Sequence, residues 1–221
     1  MKFIPFETYT GANNMKIDEE ILNNSISSQE KDAIFRLYAW KPACISLGRN
    51  QSDDFLDKNL LDKYNIDVVR RLTGGRALLH DREVTYSFVC PESYLVNGGS
   101  VSASYKEISQ ILIDTFARIG IDLSLGGEKG VHTKFDYCML ISTGADLCYQ
   151  GRKFIGSAQC RKNGYILQHG SILFDYNKNL LESLFKEEVS TDSIISLKEI
   201  RPDIEINDII KVFEEIVSTR K

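Results

Sequence analysis

Three short stretches of the chain gather residue types able to grip an anion or a polarised carbonyl group. The first is Arg70-Arg71-Leu72-Thr73-Gly74-Gly75-Arg76-Ala77-Leu78-Leu79-His80-Asp81. Adjacent glycines reach positive φ angles and let a ligand approach the backbone closely. Their N–H groups can form a nest for an anion or a carbonyl oxygen; the alternative is a hairpin turn with a solvated basic face. The second is Gly151-Arg152-Lys153-Phe154-Ile155-Gly156-Ser157-Ala158-Gln159. Lys153 opens a glycine-broken strand. Its ammonium either faces a pocket or reaches solvent from the strand end. The third is Leu167-Gln168-His169-Gly170-Ser171-Ile172-Leu173, a polar run inside an apolar strand. Such a run lines a cavity or marks a bulge. His169 is then a cavity residue or a satisfied structural imidazole.

Five cysteines, at positions 44, 90, 138, 148 and 160, form no Cys-x-x-Cys pair, so no metal site is expected. They are reduced thiols, all buried and inert or one of them a nucleophile. The chain has 221 residues, is 43% hydrophobic and 26% charged, and has a formal net charge of -4. That balance fits one globular domain, read as 1–221 with a helical C-terminal extension over about 176–221. An acidic chain argues against diffuse nucleic-acid binding. No apolar run approaches the roughly 20 residues of a membrane span, and the first residues lack a signal peptide's apolar core. A cytoplasmic protein is expected, with no membrane partner. Between Lys63 and Arg82, five basic residues against two acids make a local positive patch suited to an acidic partner.

These residues need elements to hold them. Met15, Ile17, Ile21 and Leu22 at near-helical spacing predict an amphipathic helix over 13–24. Strands are predicted over 33–40, 43–47, from 68, and over 78–80 and 84–90. A short helix is expected over 55–64, and the clearest helix over 104–119, with Ile108, Ile111, Leu112, Thr115 and Phe116 on one face. Strands over 146–149, 153–159 and 165–174, then helices over 180–185 and 206–217, complete the reading. The irregular alternation predicts an α+β domain on a largely antiparallel or mixed sheet.

In this order the three stretches closely resemble the lipoate-protein ligase and octanoyltransferase family, whose catalytic domain is related to that of biotin protein ligases. Its pattern of Arg-Arg-x-Thr-Gly-Gly followed by His-Asp, then Gly-Arg-Lys-x-x-Gly-Ser-Ala-Gln, then Gln-His-Gly-Ser-Ile, is present in full. Arg36 to Gly48 and Met15 to Glu20 also resemble family blocks, so the likeness covers about residues 10–186. The resemblance implies a large mixed sheet with flanking helices plus a smaller sheet. It also implies that Arg71, Thr73, Gly74, Gly75, His80, Gly156, Ser157, Ala158, His169 and Gly170 bind an eight-carbon acyl substrate, and that Lys153 acts at the activated carbonyl. Leu78, Ile155 and Ala158 are expected to wall an acyl tunnel.

The family divides by chemistry. One transferase branch places its nucleophilic cysteine about fifteen residues before the Gly-Arg-Lys lysine. Cys138 stands fifteen before Lys153, although Met139 replaces the usual aromatic. The resemblance therefore implies an octanoyltransferase that needs no cofactor. It would move an octanoyl group from acyl carrier protein, through a Cys138 thioester, to a lysine of a lipoyl domain or glycine-cleavage H protein. Lys153 and His80 are expected to favour the thiolate; Cys44, Cys90, Cys148 and Cys160 are expected to be bystanders. The 47 residues after Phe174 are too few for a ligase accessory domain. The alternatives are an ATP- and Mg-dependent lipoate-protein ligase, alone or with a partner subunit, an amidotransferase between lipoyl-accepting proteins, and a non-catalytic binder.

Overall fold

The computed structural model describes residues 1–127, 137–140, 144–186 and 192–220. Ten strands and six helices follow one another as β1 (Lys2–Tyr9), α1 (Gly11–Ser28), β2 (Ile34–Trp40), β3 (Cys44–Leu47), α2 (Lys58–Tyr64), β4 (Asp67–Arg70), β5 (Leu78–His80), β6 (Glu83–Pro91), α3 (Val101–Arg118), β7 (Ser124–Leu125), β8 (Leu147–Tyr149), β9 (Arg152–Lys162), β10 (Tyr165–Leu173), α4 (Lys178–Phe185), α5 (Leu197–Ile200) and α6 (Ile206–Thr219) among the described residues. Seven strands form one mixed sheet in the order β1-β2-β6-β10-β9-β8-β7, and β4-β3-β5 form a smaller sheet. Among the described strands, β1–β2 and β3–β4 pair in parallel and the other pairs are antiparallel. The expected large mixed sheet with flanking helices and a second small sheet is what the chain builds.

One face of the large sheet carries the main core. Phe35, Tyr86, Phe88, Phe154 and Ile172 pack there with Ile108, Leu112 and Phe116 of α3 and with Phe213 of α6. Each such side chain contributes about 1.5–3 kcal/mol on burial. The opposite face meets α1 through Leu22, Val89 and Leu167. Beyond α1 that face meets the small sheet, whose own core gathers Ile45, Leu47, Leu79, Tyr137 and Phe185. The site lies in the angle between the two sheets.

Four elements differ from expectation: β7 and α5 were not foreseen, nor was β1, and α1 turns a different face inward. β1 escaped the pattern because Pro5 interrupts it. Proline survives in an edge strand, and the register against β2 shifts between Ile4 and Glu7. α1 forms, but its inward stripe is Gly11, Asn14, Asp18, Leu22 and Ser25 rather than the apolar set alone. Thr10 caps its first turn by accepting from the Asn13 N–H. α3 matches its predicted face, with Ser104 and Ser109 buried as well. No described helix is long and apolar enough to cross a membrane. No described cluster of three or more His, Cys, Asp or Glu residues is arranged to hold a metal ion.

Candidate active site

The loop joining β4 to β5 carries the Thr-Gly-Gly turn, and Arg71 is its keystone. Arg71 is 7% exposed. Its Nε donates to Thr73 Oγ1 at 3.1 Å, one terminal nitrogen to the carbonyl and hydroxyl of Ser46, and the other to the carbonyls of Gly74 and Arg76. All five guanidinium N–H groups thus serve the turn. Gly75 has φ +96, a conformation that glycine adopts without strain. The backbone of Gly48, at the end of β3, lies so close that a Cβ there would sit 1.8 Å from the Gly75 carbonyl oxygen. The turn is therefore clamped between Arg71 and Gly48.

Two polar chains run from Arg71 into the protein. In one, Thr73 Oγ1 lies 2.8 Å from His169 Nε2, and His169 Nδ1 lies 3.2 Å from Asp18 Oδ2. Asp18 also accepts from Tyr38 at 2.8 Å and pairs with Arg36 at 2.8 Å. Burial raises the Asp18 carboxyl, but the hydrogen bond and charge of His169, Arg36 and the Tyr38 hydroxyl together hold it below the usual carboxylate range. In the other chain, Ser46 Oγ lies 2.7 Å from His80 Nε2, and His80 Nδ1 lies 2.8 Å from Glu83 Oε1. Trp40 stacks on the His80 ring at 3.9 Å between centroids.

Cys138 opens a short 3-10 turn, Cys138–Leu140. Its N–H donates to the Ala77 carbonyl at 2.8 Å, pinning it to the start of β5. Lys153 is 2% exposed; its ammonium donates to the Cys138 carbonyl at 3.1 Å and pairs with Asp146 at 3.0 Å. Asp146 also accepts from the Ser157 N–H at 3.3 Å. A cavity beside Cys138 is lined by Trp40, Leu78, His80, Met139, Gly156, Ala158, His169 and Ser171. A more open pocket, lined by Gly74, Arg76, Tyr105, Asp146 and Lys153, adjoins it. Cys138, Gly75, Ser157 and Ala158 border both. The arrangement can place a carbonyl at the thiol with its apolar chain inside and its leaving group outside.

The structure brings the sequence-selected residues together, with corrections to how some act. Lys153 points inward rather than to solvent, and contacts the Cys138 carbonyl. Both His80 nitrogens are taken by Ser46 and Glu83. Burial holds the Arg71 guanidinium below the ordinary arginine range, and nearby Cys138 acts against that shift. Leu78 and Ala158 line the cavity as expected, but Ile155 is buried in the main core instead. Of the basic patch only Arg71 is buried, while Lys63, Arg70 and Arg82 stay exposed and Arg76 is half-buried. Arg70 donates to the carbonyls of Gly48 and Gln51. Gly156 and Gly170 are small for a reason of space: a Cβ on Gly170 would lie 2.5 Å from the Gly156 carbonyl oxygen, and one on Gly156 3.1 Å from Met139 Sδ. Cys44 and Cys90 are core residues, as read, with burial pushing both thiols up to about 12. Burial also raises Cys160, which is part-buried, and Cys148 is 3% exposed. Sequence reading missed Asp18, Asn14, Arg36, Ser46, Glu83 and Asp146. Asp18 nevertheless lay in the family-like stretch Met15 to Glu20, Arg36 and Ser46 lay in Arg36 to Gly48, and Asn14, Asp18 and Leu22 share one helix face.

Known proteins resemble this chain in sequence and in fold. A family model described as the lipoyl protein ligase A/B catalytic domain matches residues 10–218. Octanoyltransferase LipM of Clostridioides difficile (strain 630) is 38% identical over 184 residues, which is 81% of this chain and 66% of that protein. Octanoyltransferase LipM of Bacillus subtilis (strain 168) is 34% identical, over 83% of this chain and 69% of its own length. The chain thus spans about two thirds of the length of the curated relatives it matches. Among solved structures, lipoate-protein ligase A bound with ATP superimposes with a TM-score of 0.77 at 18% identity, over 98% of this chain and 83% of that one. A bi-partite lipoate protein ligase from Thermoplasma acidophilum gives 0.72 at 16% identity, over 99% and 83%.

Proposed function

Because the chain belongs to the lipoyl protein ligase A/B catalytic-domain family, we propose that it is an octanoyltransferase acting through Cys138. The observation that carries this is the place of Cys138 at the junction of an apolar cavity and a more open pocket, beside a glycine turn and a buried lysine. Likeness to the octanoyltransferase relatives supports the choice of acyl group. The donor in this reading is an octanoyl thioester on acyl carrier protein. The acceptor is a lysine of a lipoyl domain or glycine-cleavage H protein.

The steps balance without a nucleotide. The Cys138 thiolate attacks the thioester carbonyl; the carrier thiolate leaves and takes up a proton. The octanoyl chain lies in the cavity between Leu78, Met139 and Ala158. The N–H groups of the Gly74–Gly75 turn, held by Arg71, face the oxygen that gains charge; removing one such donor costs about 3 kcal/mol in the barrier. Arg71 keeps the turn beside Cys138 in shape through its hydrogen bonds to the Gly74 and Arg76 carbonyls. Lys153 holds the Cys138 backbone in place through its carbonyl. The acceptor amine, neutral, then attacks the Cys138 thioester, loses a proton and forms the amide, and the thiolate is regenerated.

Intact-mass measurement after incubation with octanoyl carrier protein tests the proposal. One octanoyl group is expected on wild type and none on Cys138→Ala. Full transfer by Cys138→Ala would overturn it. Lipoyl-adenylate made from lipoate and MgATP would instead mark the ligase alternative.

A further inference from the structure

Ser46, Thr73 and Thr85 each accept from an N–H on one side and face a further polar atom on the other, and the carboxylates at the two chain ends can only accept. Trp40 Nε1 donates to Thr85 Oγ1 at 2.8 Å, so the Thr85 hydroxyl turns its own proton to Glu83 Oε1. That oxygen accepts a second bond, from His80 Nδ1. Arg71 donates to Ser46 Oγ, leaving the Ser46 proton for His80 Nε2. On the other side Arg71 donates to Thr73, Thr73 to His169 Nε2, and His169 Nδ1 to Asp18. Tyr38 and Arg36 complete the Asp18 carboxylate. Asp18 and Glu83 are 1% and 4% exposed, and neither lines the cavity.

We propose that Glu83 and Asp18 are positioning residues. By accepting from Nδ1 they hold His80 and His169 as Nδ1–H tautomers. Each Nε2 then stays an acceptor for the Ser46 or Thr73 hydroxyl proton, and the oxygen of that hydroxyl, held on both sides, accepts from Arg71 beside the Gly74–Gly75 turn. An imidazole released to the other tautomer would donate to the hydroxyl instead, leaving the hydroxyl proton without its buried acceptor and loosening that link. The same logic governs hydrogen-bonded imidazoles elsewhere, where the partner of one ring nitrogen decides the state of the other. The consequence for rate rests on the octanoyl transfer proposed above; the tautomers do not.

Glu83 is the residue to test, because an amide there can still supply an acceptor. Thr85 donates to Oε1, while Oε2 hydrogen-bonds to nothing among the described residues. Glu83→Gln should therefore seat its carbonyl oxygen at Oε1 and keep the tautomer without the charge, whereas Glu83→Leu should lose it. The full chain has three histidines, so ¹H–¹⁵N spectra of the imidazoles are sparse. The expected result is Nδ1–H for His80 and His169 in wild type, Nδ1–H for His80 in Glu83→Gln, and the Nε2–H form for His80 in Glu83→Leu. Single-turnover acylation at saturating octanoyl carrier protein should fall about ten- to hundredfold in Glu83→Leu, the range for lost carboxylate partners of functional imidazoles. It should stay within about threefold of wild type in Glu83→Gln. Ser46→Ala, a smaller change if Glu83→Leu folds poorly, should slow acylation while leaving His80 as Nδ1–H.

An Nε2–H signal for His80 in wild type would overturn the inference. So would a Glu83→Gln variant as slow as Glu83→Leu, because charge rather than proton direction would then be the cause. If wild type shows Nδ1–H for both His80 and His169 but never acquires the octanoyl mass, the acyl-transfer reading fails and the tautomer assignment stands.

Discussion

Lys153 and Asp146 meet at 3.0 Å with side chains 2% and 3% exposed. A buried pair of this kind gains little over an apolar substitute, but breaking it strands a charge. Asp146→Ala should lower unfolding stability by about 3–5 kcal/mol and slow acylation as Lys153 loses its fixed place at the Cys138 carbonyl. The double variant Asp146→Leu with Lys153→Met should recover most of the stability and none of the activity. Equilibrium urea unfolding and single-turnover acylation separate the two effects. Recovery of activity in the double variant would remove Lys153 from the site. At this scale the sequence was readable where a residue sat in a motif, as Lys153, Arg71 and His169 do. Carboxylates such as Asp146, Asp18 and Glu83 were not, because an isolated acid in a sequence reads as a solvated one.

Strands and turns decide how far each of these groups can move. β3 ends at Leu47, and Gly48 follows directly against the Gly75 carbonyl. A methyl group at position 48 cannot fit beside that oxygen, so Gly48→Ala must push the Gly74–Gly75 turn away from Cys138. Misplacement of a reacting group by about 1 Å can cost about a hundredfold in rate. That loss is expected in acylation of Gly48→Ala, measured by intact mass over time, with the circular dichroism spectrum of the folded protein retained. A wild-type rate would mean that the turn does not position the carbonyl. The glycines of the turn announced themselves in the sequence, whereas the need for Gly48 did not. It comes from a neighbour 27 residues away, across a loop, a helix and a strand. β1 was hidden for a related reason: its pairing with β2 outweighs the proline that local preference counts against it.

Across the whole molecule, Asp18 ties α1 to β2 through Arg36, to β10 through His169 and, by way of Thr73 and Arg71, to the loop of the small sheet. Its carboxyl is held below the unfolded value of about 4. A carboxyl depressed on folding stabilises the protein above that unfolded value, and the gain is lost as pH falls through the folded one. The stability gap between wild type and Asp18→Asn should therefore be full at pH 7 and shrink at pH values below about 4, as read from urea midpoints at each pH. A gap that widens in acid would refute the assignment. The sequence by itself determined the stretches that carry chemistry, the helix face of α3, the α+β class and the family. Those depend on residue type and short spacing, which a linear reading preserves. Only the tertiary structure decided that Arg71 faces inward, that Lys153 grips the Cys138 backbone, and that two buried carboxylates stand behind two imidazoles. Thr73 and His169 are 96 residues apart, and Asp18 and His169 are 151 apart. Such pairings are chosen by sheet order and packing, which bring distant polar groups out of water together and leave each of them to find its partner there.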